Sequence, residues 1–182
     1  MTLSPRLRKF VLTVHVASSV GWLGAVACSL VLAVLGLAGE DVRMVRAAYL
    51  AMDSIGGGVL VPLALASLLT GLVQGLGTEW GLFRHYWVLI KLLINVFATV
   101  VLVLYTQTLG RLEGLAANPS VTLGELRDPS PVLHAAGALM LLVVATALSV
   151  FKPRGVTSYG WRKQRERRRK RRLGGPGRGN TK

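Results

Sequence analysis

The sequence predicts an all-α fold, an integral membrane, antiparallel four-helix bundle with its N- and C-terminus both inside. Three observations carry this. The chain is 52% hydrophobic and 16% charged, with a mean hydropathy of +0.50, whereas a soluble domain is about one quarter charged. Its apolar residues fall into four long runs, and roughly 20 such residues cross a hydrocarbon core about 30 Å thick. Finally, sixteen of the 22 Lys and Arg residues stand before the first run or after the fourth.

Taken in order, the four helices are expected at about 10–38, 55–76, 86–108 and 132–151. None contains Asp or Glu, and their basic or imidazole members are His15, Lys91 and His134. Helix one is rich in small residues (Ala17, Gly21, Gly24, Ala25, Cys28), which let membrane helices approach closely. Its run continues to Ala38, about twice the usual 7–15 residue signal core, so it is expected to stay as a helix rather than be cleaved. Asp41 to Met52 has Val45, Ala48, Tyr49 and Met52 on one face, with Arg43 and Arg46 elsewhere on the wheel. That stretch either rests on the outer surface or extends helix two. Gly56, Gly57 and Gly58 offer a hinge or a close-packing point, and Pro62 can kink helix two. Trp80, Phe83, Tyr86 and Trp87, with Arg84 and His85, suit the headgroup level at the inner turn. The connection 109–131, with Pro119, Pro129 and Pro131, reads as irregular.

Residues 1–152 thus form the transmembrane domain, and 153–182 a disordered basic cytoplasmic tail. The connections 40–54 and 109–131 each carry a net charge of −1, while the termini are strongly positive. Positive flanks stay in the cytoplasm, and four crossings return the chain to its starting side. The expected location is the cell membrane, multi-pass. Cys28 has no disulfide partner and reads as a buried, small apolar residue.

Several stretches together resemble a known family. They are HVASSVGWLGA at 15–25, VPLALASLLTGL at 61–72, FRHYWVLIK at 83–91 and VFKPRG at 150–155. The chain looks like the predicted integral membrane protein family catalogued as domain of unknown function 2269, in its actinobacterial form. That resemblance covers about residues 5–163 and implies a four-helix membrane protein without naming an activity. The pattern His15…Trp22-Leu23-Gly24 is also remotely similar to two other four-helix groups, the haem-binding bacterial protoporphyrinogen oxidase and the copper-resistance D membrane proteins.

Polar groups within a membrane call for a partner or a function. His15, Ser18, Ser19 and Trp22 share one side of helix one. Ser67, Thr70 and Gln74 form a stripe on helix two, and Lys91 and Asn95 one on helix three. At 1.5 Å per residue, His15 and Lys91 both lie roughly 7 Å inside the cytoplasmic edge, with Thr70 level and Asn95 deeper. These nine residues are the candidate inner-leaflet polar cluster. Plain structural roles compete with it: Ser and Thr bond their own helix backbone, and Lys91 can snorkel to the interface. His134 starts helix four at the outer side, roughly 20 Å in depth from His15, so the two cannot share one metal. Cys28 lies about 220° around helix one from His15.

No Cys/His metal spacing, phosphate loop or nucleophile triad is present in the sequence, and no catalytic residue is assigned. The first expectation is a non-catalytic, scaffold-type membrane protein without a cofactor, forming a homo-oligomer through the small face of helix one. The alternative is a haem-binding or redox protein, with haem b ligated by His15 and Lys91 near a propionate. A small transporter or metal-handling protein ranks third, because the helices hold no acidic residue and no inverted repeat is visible. Besides the bilayer itself, the expected partners are anionic lipids, met by Arg165, Arg167, Arg168, Arg169, Lys170, Arg171 and Arg172 at about 1 kcal/mol per charge near the surface. Nothing in that run could read nucleic-acid bases.

Overall fold

The computed structural model describes residues 4–77 and 86–153, together with 155, 157, 161, 162 and 165. Among these, every regular element is helical. Helix α1 (Pro5–Ala38) starts where proline is tolerated, at the first helical position, with the Ser4 hydroxyl accepting the Leu7 N–H at 3.4 Å. Gly39 ends it. The chain reverses and the Asp41 carboxylate accepts the Arg43 N–H at 2.9 Å, opening α2 (Val42–Ile55). A π-helical turn, Gly56–Leu60, then leads into α3 (Val61–Gly77). Pro62 supplies no N–H to the carbonyl four residues back, and a wider turn just before it absorbs the mismatch. Helix α4 (Tyr86–Ala117), the short α5 (Leu123–Leu126) and α6 (Ser130–Phe151) follow.

The result is a four-helix bundle in which α2, the π turn and α3 act as one rod. All four rods are long and apolar enough to cross a membrane, yet only 22, 17, 11 and 11% of their most apolar stretches are buried inside the protein. Phe10, Val20, Phe97, Leu104 and Met140 are among many large apolar side chains facing outward. Soluble monomers rarely expose apolar patches beyond a few hundred Å².

The rods are longer than expected from the sequence. At 1.5 Å per residue, the 34 residues of α1 reach about 51 Å, well beyond a hydrocarbon core of about 30 Å. Of the two placements open to Asp41–Met52, the extension of helix two is the one adopted. Helix α4 also continues past Thr108 to Ala117, where an irregular segment was expected. The reason is packing. Leu109, Leu112 and Ala116 recur at i, i+3 and i+7 and bury against Val45, Tyr49 and Met52 of α2. Tyr49 lies against Gly36, where a Cβ would come within 2.9 Å of its ring. Between α4 and α5, the half-buried guanidinium of Arg46 donates to the carbonyls of Ala116 and Asn118 at 2.6 Å, Val121 at 2.7 Å and Pro119 at 3.4 Å. A second apolar cluster, around Trp22, Val26, Leu60, Ala64, Ala98 and Leu142, fills the middle of the bundle.

One expectation fails. Cys28 is exposed on the outer face of α1 rather than buried. Helix α1 is apolar nearly all round, so composition alone does not say which side turns inward. The inner turn with Trp80, Phe83, Arg84 and His85 lies outside the described residues, as does most of the basic tail.

Candidate functional site

The polar stripes of α1, α3 and α4 meet at the end of the bundle where α1 begins, at Pro5, and α6 ends, at Phe151. His15 is buried, 8% exposed, and its ring rests on Gly71 of α3. A Cβ at Gly71 would stand 3.2 Å from His15 Cε1, so the absent side chain admits the imidazole. Nδ1 lies 3.1 Å from the Ser67 carbonyl and 3.1 Å from Thr70 Oγ1. A carbonyl can only accept, and the Thr70 hydroxyl already donates to the Ala66 carbonyl at 2.5 Å. Nδ1 therefore carries the proton and donates to both. Nε2 is left with its lone pair, 3.5 Å from Lys91 Nζ, which donates to it.

Ser67, 1% exposed, ties the rest together. Its hydroxyl meets Ser19 Oγ at 2.8 Å and accepts from Asn95 Nδ2 at 3.3 Å. Thr99 Oγ1 donates to the Asn95 carbonyl at 2.8 Å, and Gln74 Nε2 to the Val11 carbonyl at 3.4 Å.

A cavity of about 640 Å³ opens beside this network. His15, Ser67, Gln74, Lys91 and Asn95 line it, and Leu12, Val16, Leu68, Val88 and Leu92 form its apolar walls. Among the described residues, three cations reach it, Arg8, Lys91 and Lys152, and no carboxylate does. Among the described residues, the polar partner of Lys91 is His15 Nε2, which is no anion.

Of the nine residues in the expected cluster, seven are joined by hydrogen bonds or by the cavity wall: His15, Ser19, Ser67, Thr70, Gln74, Lys91 and Asn95. Two are placed apart. Ser18 turns back to the His15 carbonyl at 3.1 Å. Trp22 is two turns further along α1 and faces a different, apolar cavity. Sequence reasoning missed Arg8, Trp87, Ser149 and Lys152 on the wall. Arg8 carried a readable signal, since it precedes His15 by seven residues and so shares its face. Lys152 did not, because it reaches the cavity from the C-cap of α6, in the left-handed region at φ 44°.

His134 stands at the opposite end. Its ring stacks on Tyr105, centroids 3.9 Å apart, and its Nδ1–H donates to the Ser130 carbonyl at 2.9 Å. Among the described residues, no three His, Cys, Asp or Glu side chains gather as a metal site.

No protein-family model, no curated protein and no solved structure matches this chain.

Proposed function

We propose that the chain is a multi-pass membrane protein of the cell membrane, with both termini cytoplasmic, that acts without catalysis by holding an anionic amphiphile in its inner leaflet. The observation that carries this is the cavity around His15 and Lys91, lined among the described residues by three cations, no carboxylate and an apolar wall. An ammonium within a membrane span is costly without an anion, and the partner of Lys91 among the described residues is a neutral imidazole. A carboxylate or phosphate entering from the headgroup level would pair with Lys91, Arg8 and Lys152. Its chain would lie along Leu12, Val16 and Leu68. The concentration of positive charge at the termini supports the orientation. Membership of the domain of unknown function 2269 family is part of this reading and rests on the four sequence stretches alone.

The test is binding of two fluorescent amphiphiles of equal chain length, one a carboxylate and one an alcohol, to protein in nanodiscs of neutral lipid. The carboxylate should bind at least tenfold tighter, and Lys91→Met should remove that preference. Equal binding, or a preference that survives Lys91→Met, overturns the reading.

A second reading is favoured by the tautomer of His15. An imidazole whose Nδ1–H is fixed by a backbone carbonyl presents Nε2 as metal ligands usually do. Haem b would take its axial nitrogen from Nε2, its propionates would meet Lys91 or Arg8, and it would supply redox or carrier chemistry. A Soret band in purified protein, lost in His15→Ala, supports this; a colourless protein rejects it. If both tests fail, the scaffold reading stands. It is supported by Gly24, where a Cβ would meet nothing within 4 Å, and Cys28, which together leave a shallow outward strip on α1 for a second copy.

A further inference from the structure

The three cations on the wall of the His15 cavity come from three separate rods: Arg8 from α1, Lys91 from α4 and Lys152 from α6. Most neutral polar groups beside them already have partners inside the protein. Ser67 is bonded to Ser19 and Asn95, the Nδ1–H of His15 goes to the Ser67 carbonyl and Thr70, and Ser149 donates to the Ala145 carbonyl at 2.9 Å. The cations have N–H groups to spare. Lys91 places one of its three on His15 Nε2. Among the described residues, the Arg8 guanidinium and the Lys152 ammonium have no ion-pair or hydrogen-bond partner, and the ion pair found there, Arg111 with Asp128 at 3.5 Å, is at the other end of the bundle.

Lys152 holds its place against its own backbone. Among the described residues it is the non-glycine residue with a positive φ, 44°, at the left-handed C-cap of α6. Its N–H returns to the Leu148 carbonyl at 3.2 Å, and Pro153 stops the helix from continuing. Such a cap favours glycine, which has no Cβ to clash. A lysine there gives up that ease and puts an ammonium on the cavity wall.

The donors left for a ligand are therefore cationic and approach from three sides. A carboxylate or a phosphodiester offers a single charge and two terminal oxygens. A phosphate monoester offers close to two charges near neutral pH and three terminal oxygens, one for each cation. Arginine meets such oxygens with its planar fork, and lysine meets them as a point charge. We infer that the headgroup held in this cavity is a bare phosphate monoester, so that the ligand class is a lipid phosphomonoester with its hydrocarbon along Leu12, Val16 and Leu68. This rests on the reading of the cavity as a site for an anionic amphiphile, and narrows it from any anion to the dianion.

The experiment uses the full chain in nanodiscs of neutral lipid, at about pH 7.5, above the second phosphate pKa of about 6. Three fluorescent probes of one chain length are titrated in: an alkyl phosphate, its methyl diester and the alkyl carboxylate, each corrected for partition into empty nanodiscs. The monoester should bind roughly fivefold tighter than either monoanion, the factor that one charge near the membrane surface supplies. Arg8→Gln and Lys152→Gly should each weaken the monoester roughly fivefold. Lys152→Gly should do so without lowering the unfolding temperature, because glycine takes the cap freely, so that loss cannot come from a loosened fold. Inorganic phosphate should displace the monoester only at concentrations about a hundredfold above those of unlabelled alkyl phosphate, since it buries no hydrocarbon. Equal binding of monoester and diester overturns the inference, as does full monoester affinity in both variants. Inorganic phosphate competing as well as the alkyl phosphate overturns the lipid as the source of the headgroup. If the carboxylate binds in a Lys91-dependent way and the monoester gains no margin, the anionic-amphiphile reading stands and the phosphomonoester falls; if no probe binds, both fall.

Discussion

Replacing Arg46 by Ala should loosen the end of the bundle where α2 meets α4 and α5 without unfolding the four long helices. The guanidinium donates to four backbone carbonyls of one connection, three of them at 2.6–2.7 Å and the fourth at 3.4 Å. Those carbonyls lie at or just past the end of α4, where the helix supplies no donor, though Asn118 also accepts the Val121 N–H at 3.3 Å. A hydrogen bond from a charged group contributes ~1.5–3 kcal/mol net. The four do not add, because Arg46 is half-exposed and water can replace it at the rim. About 2–4 kcal/mol in total is the expected loss. Arg46→Lys keeps the charge but has a point donor in place of a planar fork, so it should recover less than half.

The assay is limited proteolysis of detergent-purified protein, read as the cleavage rate in the 118–129 connection, alongside reversible unfolding. An opening free energy lowered by 2–4 kcal/mol raises the local open population, and hence cleavage, by roughly 30- to 1000-fold when opening is fast. Cleavage elsewhere should not change. An Arg46→Ala protein cleaved at the wild-type rate would refute the reasoning, since the connection would then hold its shape without the guanidinium. So would Arg46→Lys behaving as wild type, because charge and not the fork would be sufficient.

Four further outcomes are expected. His15→Ala and Lys91→Ala should be non-additive by about 1 kcal/mol in a double-mutant cycle of unfolding, below the usual range for a charged donor because their contact is long, 3.5 Å; additivity within about 0.5 kcal/mol would mean that the pair does not interact. Gly36→Ala should destabilise by ~1–3 kcal/mol because its Cβ would meet the Tyr49 ring at 2.9 Å, while Gly24→Ala, with nothing within 4 Å, should be neutral; thermal unfolding of both variants checks this. Cysteines introduced at Ser120 and Arg178 in a Cys28→Ser background should label from outside intact cells at 120 and not at 178, and the reverse pattern would invert the proposed orientation. Cys28, exposed on α1, should form a disulfide-linked dimer under mild oxidant in native membranes if the Gly24–Cys28 strip pairs two copies; monomer at all oxidant levels excludes that pairing.

The sequence reveals the four long apolar helices and the polar cluster for the same reason, if the helices cross a membrane as proposed. In a bilayer the hydrocarbon rewards apolar surface everywhere, so a helix without charge over some twenty residues announces itself. Against that background any polar side chain stands out, and turning it inward is the way to satisfy it. His15, Ser67, Thr70, Lys91 and Asn95 could therefore be grouped by depth and angle before any coordinates. The same reward hides the orientation of apolar and small residues. Cys28 and Val26 are equally at home facing lipid or neighbours, and nothing in the composition of α1 separates them. Trp22 was misassigned by a related error, because its angle matches His15 but its depth does not, and its indole is mostly apolar surface that suits the central cluster.

What lies beyond the spans was the least legible part. The stretch from Leu109 to Ala117 mixes Gly110, Arg111, Glu113 and Gly114 with its apolar residues, which is the composition of a connection. It becomes helix because α2 already projects beside it and offers Val45, Tyr49 and Met52 as a partner face. Neither segment would hold its helix alone in water, since short isolated helices are marginal there. Each is the condition for the other, and Arg46 then closes the turn between them and α5. Periodicity in one segment cannot express such a pairing. The cue was divided between two stretches some sixty residues apart, the i, i+3, i+7 faces of 45–52 and 109–116, which read as a helical face only once they are set against each other.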